Sequence, residues 1–162
     1  MREFAEEPVL EQSIEEVIKA AQFAPTANNN RAVEFIVVKD QQIKNKLFKV
    51  AGQEFVKKAP VILVLASDAS KSALPECDLA LATGFAMIQA SELQLGTVWK
   101  NIPAGEQASQ IREILAIPEN FKFINLLPLG YPLNEPPQHS DGEFDRSKIH
   151  QDTWEESPKC AS

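Results

Sequence analysis

A polar run near the start of the chain holds the residue types best able to bind a ligand. Residues 24–31 read Ala-Pro-Thr-Ala-Asn-Asn-Asn-Arg and supply a hydroxyl, three side-chain amides and a guanidinium. Pro25 disfavours continuation of the preceding helix, and a strand is predicted to follow at Phe35–Val38. Polar loops held on a rigid scaffold often carry binding sites. The alternative is a plain turn, because asparagine tolerates left-handed backbone geometry.

No motif of hydrolysis or metal binding accompanies this run. His139 and His150 lack the spacing of a zinc site, and the sequence has no nucleophile elbow, Walker loop or G-x-G-x-x-G turn. Cys77 and Cys160 are too few and too far apart for a disulfide framework. We expect Cys77 to be buried at the start of a helix and Cys160 to lie in a fraying tail. Any chemistry should therefore come from a bound cofactor.

Composition indicates one ordinary domain. The chain has 162 residues and a formal charge of −7, and the isoelectric point is about 4.9. This charge argues against a nucleic-acid partner, which needs a basic surface. The acidic segment Met1–Gln12 has no apolar core and predicts no signal peptide. The apolar run Leu79–Ala90 is too short to span a membrane, so we expect a cytoplasmic protein.

Periodicity predicts alternating helices and strands around the polar run. Ser13–Glu16 matches a capping box at the start of a first helix, followed by an apolar stripe at helical spacing. The further predicted elements are a buried strand at Phe35–Val38, a helix at Gln41–Ala51 capped by Gly52, strands at Val61–Ala66, Gly96–Trp99 and Asn125–Leu129, and a helix at Gln107–Leu115.

Two segments have an open assignment. The predicted helix Glu76–Leu95 is apolar on most sides and rich in alanine, which fits either the core of a monomer or the centre of a dimer. The segment 134–162 is too long for an ordinary loop and is either disordered or draped over another surface. Phe144, Ile149 and Trp154 favour a draped, extended arm, because these side chains gain from burial.

The order of these features resembles the nitroreductase-like FMN flavoproteins, specifically the short bacterial members. The pieces that carry the resemblance are Arg2-Glu3-Phe4, residues 24–29, Gly52-Gln53, Ala59-Pro60, Asp78 before the alanine-rich helix, residues 95–99, residues 129–132, and residues 145–150 with Trp154. The resemblance implies one α+β domain over 1–162, with a central mixed sheet flanked by helices. It also implies a homodimer in which the arm 134–162 wraps the partner subunit.

The same resemblance implies a function and a set of site residues. Such proteins bind FMN at the subunit interface and use it to pass hydride from NAD(P)H to nitroaromatic, quinone or similar electron-poor small molecules. No side chain need act as an acid or base. Roles carried over by position would fall on the flavin loop (Pro25, Thr26, Ala27, Asn29), the pyrimidine edge of the flavin (Arg2, Gln53), the segment near N5 (Trp99, Lys100, Asn101, Ile102), the strand end beside the ring (Leu129, Gly130) and the phosphate (Arg146, Lys148).

Departures from the family pattern point to a second possibility. Family members usually carry Arg-Arg-Ser ahead of the arginine matched by Arg2, Gln-Pro where this chain has Arg31-Ala32, and a glycine near Lys100-Asn101. The missing phosphate-binding segment predicts weakened FMN binding, which Arg31 would partly restore. The alternatives are therefore a non-enzymatic relative with weak or no flavin binding, or a flavin-independent binder of small molecules.

Overall fold

A six-stranded β-sheet forms the centre of the protein. The computed structural model describes residues 2–134, 137 and 139–154. The strands are β1 (Val33–Val38), β2 (Val61–Asp68), β3 (Gly96–Thr97), β4 (Lys100–Asn101), β5 (Phe121–Lys122) and β6 (Asn125–Gly130). Their order is β1-β2-β6-β3, with β4 also on β6 and β5 also on β2. Every pairing among the described residues is antiparallel, where a mixed sheet was expected.

Five α-helices in the described part of the chain cover the two faces of this sheet. They are α1 (Glu11–Gln22), α2 (Gln41–Ala51), α3 (Glu54–Lys58), α4 (Pro75–Glu92) and α5 (Glu106–Leu115). Alternate residues of β2 point to opposite faces, as the two-residue period of a strand requires. Val61, Leu63 and Leu65 pack with α1 and α4, whereas Ile62, Val64 and Ala66 pack with α2, α3 and α5. The all-apolar sequence of β2 thus reflects burial on both sides.

The ends of α1 and α2 show one wrong and one correct prediction. The Ser13–Glu16 capping box is not formed, because α1 begins at Glu11 and its N-cap, Leu10, makes no side-chain cap. Residues 11–12 are good helix formers, so helical bonding starts earlier, with the Ile14 N–H donating to the Leu10 carbonyl at 3.1 Å. Helix α2 has the predicted bounds and ends at Gly52 in left-handed geometry, φ 70°.

Strand β1 and the short helix α3 differ from the sequence expectation. The predicted strand Phe35–Val38 exists as Val33–Val38, but β1 is an edge strand and only Val38 of it is fully buried. Residues 54–58 form α3, which was not predicted because five residues are too few to show a helical period of apolar residues. The predicted strand Gly96–Trp99 is split into β3 and β4, with Trp99 between them.

Helix α4, expected to be either the core of a monomer or the centre of a dimer, buries one side in its own chain and exposes the other. Its small residues Ala82, Ala86 and Ala90 are buried in the same chain against α1 and the sheet. Its other side exposes Leu81, Phe85 and Ile88, the last with 71% of its surface accessible. Ala86, at the middle of the helix, therefore belongs to the core of its own chain.

Two further expectations concern cysteine and the arm. Cys77 is exposed in the first turn of α4, so the expectation of a buried cysteine was wrong; the turn faces outward at this position while Asp78 faces inward. The described residues 139–154 of the arm are extended, with single helical turns at Asp141–Glu143 and Arg146–Lys148. Phe144 and Trp154 are exposed there. Cys160 lies outside the described residues.

Candidate functional site

The loop 24–31 combines left-handed backbone geometry with a binding cavity. Asn28, Asn29 and Arg31 have φ values of 52°, 53° and 50°. The Arg31 N–H donates to Thr26 Oγ1 at 3.1 Å, which closes the loop on itself. The plain-turn interpretation and the binding-loop interpretation therefore describe the same residues, since the tight turn is what presents the polar side chains.

A buried carboxylate beneath this loop fixes its conformation. Asp78, in the first turn of α4, is 3% exposed. Its Oδ1 accepts the Ala27 N–H at 2.7 Å, and its Oδ2 accepts from Asn30 Nδ2 at 3.1 Å and from Ser72 Oγ at 2.6 Å. Asn30 also donates to the Ala27 carbonyl at 2.7 Å, and its Oδ1 accepts the Ala32 N–H at 2.8 Å. Residues 27–32 are thereby tied to one charge.

These hydrogen bonds also keep Asp78 ionised. Burial acts to raise the pKa of Asp78, but the donors on Ser72, Ala27 and Asn30 together outweigh it and hold the pKa below its ordinary value. An ionised carboxylate accepts only, and every polar group aimed at Asp78 here is a donor. The site therefore holds a fixed negative charge whose hydrogen-bonding capacity is used by the loop.

A cavity of about 380 Å³ opens beside the loop, at the end of α1. Its lining mixes apolar and polar residues and consists of Ala21, Gln22, Phe23, Ala24, Pro25, Thr26, Asn29, Arg31 and Val33. Arg31 Nε donates to Asn29 Oδ1 at 3.3 Å. The terminal guanidinium nitrogens of Arg31 have no hydrogen-bond or ion-pair partner among the described residues, so they are available to an anionic or carbonyl ligand.

A second group of predicted site residues gathers at the far end of the sheet from β1. Strands β3 and β4 both pair with β6: Thr97 is opposite Leu129, and Lys100 is opposite Leu126. Phe4 bridges Pro132 just after β6, which brings the exposed Arg2 toward this end. Of the predicted residues at this end, Arg2, Trp99 and Asn101 are exposed and Lys100 is half-buried; Gln53, at the start of α3, is also exposed.

Within this second group, Gly130 makes a close approach to its own chain. A Cβ on Gly130 would lie 2.6 Å from Pro60 Cδ and 3.0 Å from Phe4 Cδ1. Pro60 is held by buried Lys44, whose Nζ donates to the carbonyls of Ala59 at 2.9 Å and Pro60 at 3.3 Å. Burial lowers the pKa of Lys44, and Asp40 opposes that shift. The neighbouring Leu129 is fully buried in the core.

The two cations predicted to bind phosphate lie on the arm and have local partners. The Arg146 guanidinium lies 5.5 Å from the centre of the Phe144 ring. Lys148 Nζ lies 3.7 Å from a carboxylate oxygen of Asp145, a pair that is largely exposed. Exposed pairs of this kind contribute little to stability, so both cations can exchange partners at small cost.

Within one chain, the residues predicted to form a single site lie in separate places. Pro25, Thr26, Asn29 and Arg31 line the cavity, and Ala27 bonds to Asp78 beneath it. None of the residues of the sheet-end group, nor Arg146 and Lys148, lines that cavity. The sequence pattern singled out Asp78 and Asn30 without giving either a role in holding the loop, and it missed Ser72. A signal was present, since an acidic residue in the first turn of a largely apolar helix has to find donors.

The described residues contain neither a metal-binding cluster nor a membrane-spanning helix. In residues 2–134, 137 and 139–154, no group of three histidine, cysteine or acidic side chains is placed to bind a metal ion. No helix in that part of the chain is both long and apolar enough to cross a bilayer.

Comparison with known proteins decides the family. The sequence model of the nitroreductase family matches residues 1–58 and 48–131. The chain belongs to the nitroreductase family. It is 30% identical over 161 residues to an Archaeoglobus fulgidus protein provisionally named NADH dehydrogenase/NAD(P)H nitroreductase, covering 95% of this chain and 92% of that one. The general activity of this nitroreductase-family chain is that of an oxidoreductase.

Solved structures agree with this assignment. An FMN-dependent nitroreductase from Clostridium difficile superposes with a TM-score of 0.89 at 28% identity, covering 95% of this chain and 94% of that one. The FMN reductase [NAD(P)H] of Bacillus subtilis is 28% identical over 154 residues, which are 82% of this chain and 61% of that protein. The Vibrio harveyi NADPH:FMN oxidoreductase, at 20% identity and a TM-score of 0.77, shares the fold and covers 98% of this chain and 75% of that one.

Proposed function

We propose that this nitroreductase-family protein is a homodimeric, FMN-dependent oxidoreductase. It would use NAD(P)H to reduce nitroaromatic, quinone or similar electron-poor small molecules. The observation that carries the proposal is the preset loop 24–31 with its adjoining cavity and the available guanidinium of Arg31. The names of the Clostridium difficile and Bacillus subtilis relatives support FMN, and the latter supports NAD(P)H.

The residues present fit FMN in chemical type. Phe23, Pro25 and Val33 give the cavity an apolar wall suited to a planar ring, while Thr26 and Asn29 add polar groups. The Arg31 guanidinium is a bidentate donor to phosphate or carbonyl oxygen. When bound, FMN supplies the hydride chemistry, and the protein supplies binding, orientation and electrostatics. That division suits a site in which no nucleophile or acid–base pair is assembled among the described residues.

A dimer would unite the separate sets of site residues. In this proposal the loop 24–31 of one subunit faces the residues Arg2, Gln53, Trp99, Lys100 and Asn101 of the other. The exposed apolar side of α4, with Leu81, Phe85 and Ile88, supports an interface, because monomers rarely expose contiguous apolar surface of this kind. The exposed Phe144 and Trp154 support an arm that packs on a partner subunit.

Turnover and subunit complementation test this proposal. FMN-saturated protein should oxidise NADH or NADPH in the presence of a quinone or nitroaromatic acceptor. Arg31→Glu and Gln53→Glu, both at exposed positions, should each abolish most of that activity in homodimers. Co-expression of the two variants should restore about one quarter of the parent activity, because half of the dimers then contain one intact shared site. Activity without dimerisation, or no restoration, contradicts the shared site.

A further inference from the structure

The network around Asp78 has a feature that packing alone does not require. Besides the backbone bonds within its own turn, the bottom of the loop is bonded to a buried carboxylate on a different element, α4. Two of the three donors to Asp78, the Ala27 N–H and Asn30 Nδ2, come from the loop. The third, Ser72 Oγ, comes from the segment before α4 and accepts the Leu74 N–H at 3.1 Å. A single charge therefore connects the helix to the cavity rim.

The loop contains strained backbone conformations that contacts with the rest of the protein must stabilise. Asn28, Asn29 and Arg31 are all left-handed, a conformation that costs non-glycine residues free energy and persists only where the surroundings impose it. Asn29 and Arg31 both line the cavity, whereas Asp78 does not. The two loop residues that donate to Asp78 are neighbours of these strained positions in the chain. Ala27 comes directly before them, and Asn30 lies between Asn29 and Arg31.

We infer that Asp78 is the positioning residue of the ligand-binding loop, acting through Ala27 and Asn30 to preset Asn29 and Arg31 before the cofactor binds. The inference rests on the proposed function for the identity of that cofactor as FMN. A loop already held in its binding conformation does not lose conformational entropy when the ligand binds. The dissociation constant is therefore lower when a larger fraction of the molecules already has the loop in that conformation. Asp78 does not touch the cavity, so it should set how tightly FMN is held and leave turnover at saturation nearly unchanged.

Asp78→Asn is the central variant, and the chain offers a matched control. The amide keeps the size of the side chain but places a donor where Asn30 and Ser72 now donate. Asp68→Asn makes the same exchange at another buried aspartate, which is 5% exposed and likewise accepts from serine and asparagine side chains, Ser70 at 2.6 Å and Asn120 at 2.9 Å. Asp68 is the last residue of β2, and its side chain makes no bond to the loop 24–31 among the described residues.

Two readouts distinguish positioning from simple destabilisation. The first is the dissociation constant for FMN, which we expect to rise about tenfold or more in Asp78→Asn and by less than about threefold in Asp68→Asn, as the loss of charge-assisted bonds predicts. Activity at saturating FMN should return to near the parent value. The second is amide hydrogen exchange without FMN, which should accelerate at Ala27, Arg31 and Ala32 but not at Leu63 in β2.

Asn30→Ala is the alternative test variant if the Asp78→Asn protein does not fold. It removes one of the two loop donors to Asp78, and also the acceptor for the Ala32 N–H, but leaves the buried carboxylate bonded to Ser72 and Ala27. Parent-like FMN affinity and parent-like loop exchange in a folded variant would overturn the inference. If the parent protein itself binds no FMN, the proposed function fails, and the exchange rates alone then decide whether Asp78 holds the loop.

Discussion

Pro60 and Gly130 are in such close contact that no side chain fits between them. Pro60 Cδ would lie 2.6 Å from a Cβ on Gly130. Lys44 prevents Pro60 from moving away freely, since its buried ammonium donates to the carbonyls of Ala59 and Pro60. This contact packs the end of β6 against the residues that follow α3.

Gly130→Ala should lower the free energy of unfolding by about 1–3 kcal/mol, the usual cost of forcing an extra methyl group into a packed region. Urea denaturation followed by circular dichroism measures this change. Gly142→Ala is the control, because its Cβ would meet only Ser140 Oγ at 3.7 Å, an ordinary contact. Equal stability of the Gly130→Ala and Gly142→Ala proteins would show that the contact with Pro60 relaxes at no cost.

Asp68 should make stability depend on pH in the acidic range. Hydrogen bonds from the Ser70 side chain and backbone, assisted by Asn120 and Lys71 and opposed by burial, lower the pKa of Asp68 to about 2. A carboxylate with a lowered folded pKa stabilises the fold above its unfolded pKa, near 3.9, and this contribution disappears as the pH falls toward the folded value.

The measurement compares urea denaturation of the parent and of Asp68→Asn at pH 5, 4 and 3. The stability difference between the two proteins should be largest at pH 5 and shrink as the pH falls. Asp141→Asn, at an exposed position of the arm, removes the same charge and should leave the pH profile parallel to that of the parent. A difference that stays constant across this range would contradict the role given to the Asp68 carboxylate.

Ile88→Glu should separate the subunits without unfolding them. Ile88 is 71% exposed in the single chain, so glutamate is tolerated there by the fold but would carry a charge into an apolar interface. Sedimentation at micromolar concentration should change from dimer to monomer, with the circular dichroism spectrum retained. Ala86→Glu, a change within the core of the chain itself, should instead lose the fold. A stable monomer in the parent protein would refute the dimer.

Arg31 should favour FMN over riboflavin. A charge-assisted bond to phosphate contributes roughly 1.5–3 kcal/mol, so Arg31→Gln should reduce the preference for FMN by about tenfold or more. Lys46→Gln, an exposed charge on α2 at the other face of the sheet, is the control for net charge. The double variant Arg146→Ala with Lys148→Ala tests the arm cations in the same titration. Unchanged ratios in all variants would mean that these cations do not bind phosphate.

The sequence predicted the framework better than it predicted the site. Regular periods located β2, α2, α5 and β6 nearly to the residue, because burial on one or two faces dictates the pattern of apolar residues. The start of α1 was wrong since a Ser-x-x-Glu pattern is compatible with a helix interior as well as with a cap. The edge position of β1 depends on strand order, which no local pattern contains.

The sequence predicted which residues form the site, but not which of them are in contact. The loop 24–31 was found because it concentrates a hydroxyl, three amides and a guanidinium between a predicted helix and a predicted strand; Pro25, Thr26, Asn29 and Arg31 line its cavity. The role of Asp78 was not predicted, because its two donors in the loop, Ala27 and Asn30, lie about fifty positions earlier in the sequence. Long-range hydrogen bonds of this kind leave no spacing to recognise.

Anaerobic reduction of bound flavin tests the account most directly. Protein loaded with excess FMN and freed of unbound cofactor should be yellow, and stoichiometric NADH or NADPH should bleach the flavin absorbance. Addition of a quinone or nitroaromatic acceptor should then restore it, and FMN should raise the melting temperature of the protein. A folded protein that takes up no FMN, or that holds oxidised FMN unchanged in the presence of both NADH and NADPH, would contradict the proposed oxidoreductase.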